Sequence, residues 1–332
     1  MIRYFFITFL NKLTRPLHSA LALFALIALA SCSPTTETPL RVGTIPWPGY
    51  ESLHLAQSLE YFQSSQIRLT EMANASQTSR ALRNSTLEAS FCTLDEALGL
   101  MQDGVDLRVI LVADISQGAD AVLARPDITR LQDLRGKRIA VENAAVGAIM
   151  LDAVLEAAKL TASDVELVAA TGDQHTKLYQ SGAVDAVITF EPNRSAILKL
   201  GGHVLFDSNA IPDRIMDVLV VRADQIAGHK QALTALVAAH FRALNYQAQQ
   251  SQDAAKRIAP FLAVTADEIA AQYEGIKIPT LAENHAYLSG TQPRLKASAA
   301  NLAALMLRNK LLQHAVNAEQ LAEPKFLPAS SK

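Results

Sequence analysis

The sequence lacks the residue patterns from which most catalytic and metal centres are built. It has two cysteines among 332 residues, and its eight histidines show neither an H-E-x-x-H pattern nor any paired ligand spacing. A G-x-S-x-G turn, a P-loop and a G-x-G-x-x-G loop are also absent. We therefore expect a protein that is not an enzyme and that binds neither a metal nor a cofactor.

The first 31 residues contain no acidic side chain, although they include three basic residues and an uninterrupted apolar run at residues 20–30. That run is too short for a stable membrane span, so residues 1–31 are predicted to be an export signal. The signal ends in Leu29-Ala30-Ser31-Cys32, which resembles the bacterial lipobox, in which cleavage precedes the cysteine and its sulfur is acylated. The alternative is an ordinary secretory signal that happens to contain a cysteine.

Lipid on Cys32 would hold the mature protein at a membrane surface, with residues 32–39 as a flexible tether. We expect it to face the periplasm from the inner or outer membrane, or to lie on the outer face of the cell. Three of the 30 Lys and Arg residues precede Cys32 but all 32 acidic residues follow it, so the formal net charge falls from −2 to −5. This balance excludes a nucleic-acid partner. Cys92 would be the one remaining thiol, so stability must come from packing.

The rest of the chain alternates between short apolar runs, typical of strands, and amphipathic segments, typical of helices. This alternation predicts an α/β fold with doubly wound, mostly parallel sheets and a helical C-terminal region. Val42 and Phe91 are 49 residues apart, as are Ile139 and Ile188. We therefore expect two lobes that repeat one structural plan.

The segment 41–62 predicts a strand, a proline-rich turn and the start of a helix. Such a corner is the usual ligand-facing position of an open α/β sheet. Trp47, the one tryptophan, lies in the turn, and Tyr50 and Glu51 open the helix. Trp47 and Tyr50 are candidates for a stacking or cation–π contact with a ligand, and Glu51 is a further candidate contact.

Five motifs carry a resemblance to the type 2 periplasmic solute-binding proteins of the nitrate, sulfonate, taurine and thiamine-pyrimidine-precursor group. The similarity runs from about Leu40 to about Leu327. It rests on V-G-T-I-P-W-P-G-Y-E at residues 42–51, C-T-L-D-E-A at 92–97, L-Q-D-L-R-G-K-R-I-A-V at 131–141, T-F-E-P at 189–192 and D-V-L-V-V-R at 217–222.

The resemblance implies a two-lobed binding protein that closes around one small molecule and delivers it to the permease and ATPase subunits of an ABC importer. We expect residues 40–117 and 218–332 to form the first lobe and residues 118–217 the second, in a monomer. The alternatives are a sensory lipoprotein that presents its ligand to a membrane receptor and an enzyme like the thiamine-pyrimidine synthases. The cysteine-rich signature of those synthases is absent here.

The resemblance also bears on the ligand. Sulfonate-binding relatives hold the anion among hydroxyls and backbone N–H groups at helix N-termini. Here alanines follow Asn143 where hydroxyls are common, Asp95 stands where a serine is usual, and Glu191 follows the equivalent strand of the second lobe. Unpaired carboxylates would repel a desolvated anion by roughly several kcal/mol. We therefore expect a nitrogen-containing ligand that is cationic or rich in N–H groups.

Several of these candidates have a structural alternative. Asp95 and Glu191 each lie just before a predicted helix, so either could stabilise its N-terminus, and either could be neutralised by a nearby arginine. Ser76 and Thr78 are expected first as helix caps and second as ligand contacts. The sequence leaves these alternatives open.

The lipobox predicts that Cys32 anchors the protein. Replacement Cys32→Ala removes the acylated sulfur, so the variant should move from the membrane fraction to the soluble fraction when cells are fractionated. Wild-type protein in the soluble fraction would contradict the anchor.

Overall fold

Two β-sheets organise the part of the chain that the computed structural model describes, residues 38–142 and 145–329. The predicted export signal, Cys32, most of the predicted tether and the candidate residue Asn143 lie outside the described residues. Within the described ranges, no helix has both the length and the apolar character needed to cross a membrane.

Eleven strands form among the described residues. In chain order they are β1 (Leu40–Thr44), β2 (Ile67–Glu71), β3 (Ala89–Thr93), β4 (Leu107–Ser116), β5 (Ala121–Ala124), β6 (Arg138–Val141), β7 (Glu166–Ala169), β8 (Ala186–Thr189), β9 (His203–Asp207), β10 (Met216–Arg222) and β11 (Ile276–Lys277). The helices are α1 (Glu51–Ser58), α2 (Ala75–Arg83), α3 (Leu94–Gln102), α4 (Ala145–Ala158), α5 (His175–Gln180), α6 (Asn193–Lys199), α7 (Lys230–Gln249), α8 (Ser251–Leu262), α9 (Ile269–Gln272), α10 (Leu281–Leu288) and α11 (Arg294–Arg308).

The first sheet has the strand order β11-β4-β10-β3-β1-β2. β1 pairs in parallel with β2 and β3, whereas β10 runs antiparallel between β3 and β4. Four of its six described strands therefore point the same way. The return strand β10 lies in the middle of the sheet, and its first six residues are buried, which explains its apolar sequence.

The second sheet has the order β7-β6-β8-β5-β9. β6 pairs in parallel with β7 and β8, and β5 runs antiparallel between β8 and β9. Helices α7 to α11 then make the last third of the chain mostly helical. The predicted α/β class, with two sheets and a helical C-terminal region, is confirmed.

Two short segments join the sheets. The chain leaves the first sheet after Ser116 and enters the second at Ala121, then returns between Asp207 and Met216. The hydroxyl oxygens of Ser116 and Ser208 are 2.7 Å apart, and Gly118 N donates to Ser208 Oγ at 2.6 Å. These bonds hold the two crossovers side by side.

The predicted repeat is visible at the level of individual contacts. Val42 pairs with Ala89 in the first sheet and Ile139 with Ala186 in the second, so both pairs span 47 residues. In each sheet an arginine one residue earlier binds an acid at the same spacing. The backbone N–H groups of Arg41 and Arg138 donate to Glu88 Oε2 and Asp185 Oδ2, at 2.7 and 2.9 Å.

Some elements differ from the sequence pattern. The apolar run predicts a strand that ends at residue 112, but β4 continues to Ser116 because Asp114 is accommodated inside the sheet with 0% exposure. β9 is an edge strand with half-buried residues throughout, so it shows no clear alternation of apolar and polar residues. The pattern did not predict β9 or helices α8 and α10.

Candidate functional site

The proline-rich turn between β1 and α1 is built around two buried carboxyl groups. Trp47 Nε1 donates a hydrogen bond to Asp114 Oδ2 at 3.0 Å, and Tyr50 Oη donates to Asp217 Oδ1 at 2.9 Å. Gly49 lies between the two aromatic residues, and a Cβ atom there would be 1.8 Å from Asp114 Oδ2. The turn therefore needs glycine at this position in order to close over the acids.

Asp114 and Asp217 are direct cross-strand neighbours on β4 and β10. Their exposed fractions are 0% and 4%. Burial raises the pKa of Asp114 to about 6, and burial together with the Asp114 charge raises the pKa of Asp217 well above its ordinary value. We refer to these two residues as the acid pair.

The acid pair adjoins a cavity between the two sheets. Its free volume is about 40 Å³, roughly three times the minimum space for one water molecule. Four carboxyl-bearing residues line it, contributed by helix α3, the first crossover, the loop after β6 and strand β10: Glu96, Asp120, Glu142 and Asp217. Its apolar walls are Ile45, Trp47, Tyr50, Ala75, Val146, Phe190 and Ile215.

Burial raises the pKa of each acid around this cavity. It raises the pKa of Asp120 to about 7 and, with a smaller effect from the Glu96 charge, that of Glu142 to about 7. The pKa of Glu96 is also raised by burial, although its carboxylate accepts a hydrogen bond from Thr93 N at 3.1 Å. No lysine, arginine or histidine is among the described residues that line the cavity. The carboxyl groups of the lining therefore have no basic counter-charge among these residues.

Some buried carboxylate oxygens at the site accept no hydrogen bond from the described residues. They are Oδ1 of Asp114 and Oε1 of Glu142. Unsatisfied buried acceptors are costly, so these atoms call for a proton or a donor from a ligand. Within the described ranges, no group of three histidine, cysteine or acidic residues is arranged to hold a metal ion.

Contacts between the lobes close the cleft around this cavity. The rings of Trp47 and Phe190 meet edge to face with centroids 5.8 Å apart. Asn74 Nδ2 donates to Asp173 Oδ1 at 3.0 Å, which joins the loop after β2 to the loop after β7. A ligand in the cavity would be shielded from solvent, which strengthens its electrostatic contacts.

The predicted site residues of the first corner separate into two groups. Trp47 and Tyr50 line the cavity, with exposed fractions of 4% and 3%. Glu51 is also buried but does not line it, and both of its carboxylate oxygens are without a partner among the described residues. Burial, with a smaller effect from Glu71, raises the pKa of Glu51 well above its ordinary value.

The candidates on helix α2 lie away from the cavity. Ser76 is exposed, and Thr78 Oγ1 is buried and donates to Ala75 O at 2.8 Å. The predicted capping by Ser76 or Thr78 is wrong. Asn74 caps the helix instead, because its side-chain oxygen accepts from Gln77 N at 3.2 Å.

The two predicted acids have different surroundings, and neither lines the cavity. Asp95, which precedes Glu96 in the first turn of α3, is fully buried, and burial raises its pKa to about 8. Glu191 accepts hydrogen bonds from Ser195 N at 3.0 Å and Ser195 Oγ at 2.9 Å, and it pairs with Arg194 at 3.2 Å. Glu191 is thus engaged in the turn before α6.

Sequence reasoning did not single out five residues of the site as ligand contacts: Glu96, Asp114, Asp120, Glu142 and Asp217. A signal for some of them exists in the sequence. Asp114 directly follows an apolar run and Asp217 directly precedes one. An acid at the end of a buried strand is uncommon unless it is paired or functional.

A model of the NMT1-like family matches residues 33–263, which is more than two thirds of the chain. No curated protein sequence matches the chain. Among solved structures, the periplasmic aliphatic sulphonate-binding protein SsuA from Escherichia coli is similar with a TM-score of 0.69 and 20% identity, over 86% of this chain and 97% of that one.

Two other solved structures are similar. The alkanesulfonate-binding protein SsuA from Xanthomonas axonopodis pv. citri, bound to MOPS, has a TM-score of 0.70 and 16% identity, over 84% of this chain and 96% of that one. A mutant of the desulfurization enzyme DSZB, in complex with biphenyl-2-sulfinic acid, has a TM-score of 0.62 and 19% identity, over 87% of this chain and 98% of that one. At these identities the similarities establish the periplasmic binding protein fold, which binding proteins and an enzyme share.

The close approach of Gly49 to Asp114 generates a stability prediction. Gly49→Ala should destabilise the protein by about 1–3 kcal/mol, because the new methyl group must displace Asp114 or the Trp47 indole. Denaturant unfolding measures the change. Gly99→Ala is the matched control, since a Cβ at this helical glycine meets no atom within 4 Å and should be neutral or stabilising. Equal effects of the two substitutions would contradict the close fit.

The raised pKa values predict that the ligand-free protein loses stability as the pH rises from 6.5 to 8. A carboxyl group whose folded pKa exceeds its unfolded value favours folding below the unfolded pKa, and this contribution is lost as the pH passes the folded value. Asp95, Asp120 and Glu142, with pKa values of about 8, 7 and 7, titrate in this window. We expect a decrease on the order of a few kcal/mol in the free energy of unfolding.

Three buried histidines have the opposite effect, because their protonation lowers the free energy of unfolding as the pH falls below 6.5. Burial lowers the pKa of His54 and His175 to about 4 and that of His240 to about 3, so acid favours their unfolded, protonated forms. Because unfolded histidine is still about half protonated at pH 6.5, the histidines offset part of this loss, and the contribution of an acid is obtained by comparing the wild type with a variant by urea unfolding at pH 6.5 and pH 8. Asp95→Asn should reduce the change in the free energy of unfolding between these two pH values. Glu156→Gln, at an exposed position of α4, should leave that change as it is in the wild type. A wild-type stability that is constant or rises over this window would contradict the prediction.

Proposed function

Because the chain belongs to the NMT1-like family, we propose that it is the solute-binding component of an ABC importer and that its ligand is a small organic cation or another compound rich in N–H donors. The lobes close around this ligand, and the closed protein delivers it to permease and ATPase subunits. The protein itself acts as a monomer and needs no cofactor.

The observation that carries the proposal is the charge of the cavity. Four carboxyl groups line it, the acid pair adds a fifth through Asp114, and no basic side chain of the described residues neutralises them there. A cation would replace the protons that these groups otherwise need, and its N–H groups would satisfy the orphaned oxygen of Glu142, which lines the cavity.

The aromatic walls support the same chemistry. Trp47, Tyr50 and Phe190 surround the space, and their ring faces attract a cation that has been removed from water. The small volume favours a compact ligand. The solved neighbours that bind sulfonates share the fold with this chain, but an anion in this cavity would meet several carboxyl groups at short range. We therefore propose that the ligand differs in charge from theirs.

The proposal includes the position of the protein in the cell. Export through the signal at residues 1–31 and acylation of Cys32 would place the cleft at the outer side of a membrane, where an importer collects its solute. The two-lobe division, with residues 40–117 and 218–332 in one lobe and 118–217 in the other, is supported by the separation of the strands into two sheets, except that β10 begins at Met216 and so places Asp217 in the first lobe.

Two other functions use the same cleft. A sensory lipoprotein would bind the same cation but present it to a membrane receptor instead of a permease. An enzyme on this fold is the less favoured alternative, because the one described thiol, Cys92, is buried in β3 and burial raises its pKa well above the ordinary value. A buried, protonated thiol is a poor nucleophile.

Ligand charge is tested by titrating the protein with matched small molecules. Methylguanidinium, acetamidinium, ethylammonium and 4-aminopyrimidine should bind measurably better than methanesulfonate, sulfate or nitrate, because they complement the cavity acids. Isothermal titration calorimetry measures the affinities. Trp47 fluorescence provides a second readout, since this is the one tryptophan and it lines the cavity.

Two variants test whether the cation binds in the cavity. Glu142→Gln removes one lining charge and should weaken cation binding by roughly 1–3 kcal/mol. Glu156→Gln removes an exposed charge from the same lobe and should leave the affinity unchanged. Tight binding of a simple sulfonate, or equal effects of the two substitutions, would refute the proposed ligand class.

A further inference from the structure

The acid pair differs from the other carboxyl groups of the cavity in how it is held. Each carboxylate receives one hydrogen bond from an aromatic side chain, from Trp47 to Asp114 and from Tyr50 to Asp217. Asp217 faces the cavity, and Asp114 lies against it on the neighbouring strand. The second oxygen of Asp114 accepts no hydrogen bond from the described residues. The two groups are thus fixed side by side with one acceptor position still open.

Two ionised carboxylates cannot share this position. Like charges directly opposite each other on adjacent strands are destabilising, and burial at 0% and 4% exposure removes the water that would screen them. The repulsion is relieved by one proton held between the two groups or by a cation against them. A proton and a cation therefore compete for the same position at the two carboxyl groups.

The surroundings provide no other counter-charge. The titratable groups that face the pair come from the turn, β3, α3, the first crossover and the segment after α9, and all of them are acidic or neutral: Tyr50, Cys92, Glu96, Asp120 and Tyr273. On the neighbouring strand β11, the ammonium group of Lys277 is engaged with Glu283 at 2.9 Å. No basic group of the described residues is therefore available to neutralise the pair.

We propose that Asp114 and Asp217 are the specificity-determining residues of the cleft, and that the pair exchanges one shared proton for the positive charge of the ligand. The inference rests on the proposed cation-binding function and adds that cation binding is coupled to the release of a proton. The ligand-free pair holds one proton and carries a net charge of −1. When the cation binds, an N–H group of the ligand replaces the proton, which leaves to the buffer.

The exchange conserves charge inside the cleft. The pair changes from −1 to −2 and the ligand contributes +1, so the charge of the pair and the ligand together remains −1, with the charges of the other lining acids unchanged. A neutral analogue of the ligand cannot drive this exchange, because it would leave two adjacent buried charges uncompensated. A quaternary ammonium has no N–H to donate to the pair through Asp217, so its affinity should be lower than that of a protonated amine of similar size. The pair therefore selects for charge and for N–H donors at the same time.

The coupling between cation binding and proton release predicts the direction in which the affinity changes with pH. Release of one proton for each bound cation makes the affinity rise about tenfold for each unit of pH while the pair is protonated in the free protein. Methylguanidinium is a suitable probe because its own charge is constant across this range. Calorimetric titration from pH 5.5 to 7.5, repeated in two buffers of different ionisation enthalpy, gives the affinity and the number of protons released.

Three variants locate the proton. Asp217→Asn keeps the shape of the pair but fixes a neutral, hydrogen-bonding partner beside Asp114, so it should abolish proton release and reduce methylguanidinium affinity more than tenfold at pH 7.5. Glu96→Gln, at another lining acid, should weaken binding but retain the pH slope. Tyr50→Phe removes the hydrogen bond that stabilises ionised Asp217, so the rise in affinity should shift to higher pH.

An infrared titration of the ligand-free protein gives an independent readout. The carbonyl band of a protonated carboxylic acid should persist near neutral pH in the wild type, and part of it should be lost in Asp217→Asn and Asp114→Asn. An unchanged band in both variants would overturn the shared proton, whatever the ligand is.

The outcomes separate the two proposals. Cation binding with a pH slope that Asp217→Asn removes and Glu96→Gln retains supports the exchange. Cation binding with no proton release, or with a slope that only Glu96→Gln removes, overturns the exchange and leaves the proposed function standing. Failure of every cation to bind at any pH overturns the proposed function and the exchange together.

Discussion

The buried contact between Asp114 and Asp217 is the constraint on which the rest of the site depends. It explains why the turn after β1 has its particular sequence: Trp47 supplies one hydrogen bond, Gly49 leaves room for a carboxylate, and Tyr50 supplies the other hydrogen bond. It also explains why β10 must return to the middle of the first sheet, since only that strand places the second acid opposite the first. A motif at the start of the domain is thus completed by a strand more than 160 residues later.

The two lobes contribute unequally to the cavity. The first lobe and the crossovers supply the acid pair, Glu96 and Asp120, and the second lobe supplies Glu142 and the ring of Phe190. The second lobe therefore adds one acid and one aromatic ring to a surface that the first lobe and the crossovers form. Because Phe190 meets Trp47 directly, the contact between the lobes buries apolar area as well as charge.

Much of the fold follows from local sequence, whereas the site follows from it only in part. Apolar runs and turn residues predicted the alternation of strands and helices, and the 49-residue spacing anticipated the 47-residue register of both sheets. Trp47 and Tyr50 could be found because a proline-rich turn after a strand is a local signal. Asp217 could not be linked to Tyr50, because their contact depends on the insertion of β10, a non-local event that strand patterns do not encode. Glu191 follows its strand as a ligand-facing acid would, yet its own turn occupies it through Ser195 and Arg194.

The matched ion pairs at the start of the two sheets have a consequence for descent. Arg41 with Glu88 and Arg138 with Asp185 occupy the same register, and the two arginines also donate to backbone carbonyls at an identical interval, those of Ser85 and Gly182. Such agreement in partner and spacing is the pattern expected of a duplicated segment. The two halves share this contact at the start of their strands, whereas the residues that follow β3 and β8 differ between them. New ligand preferences on this scaffold can accordingly arise by altering one half while the other keeps its inherited framework.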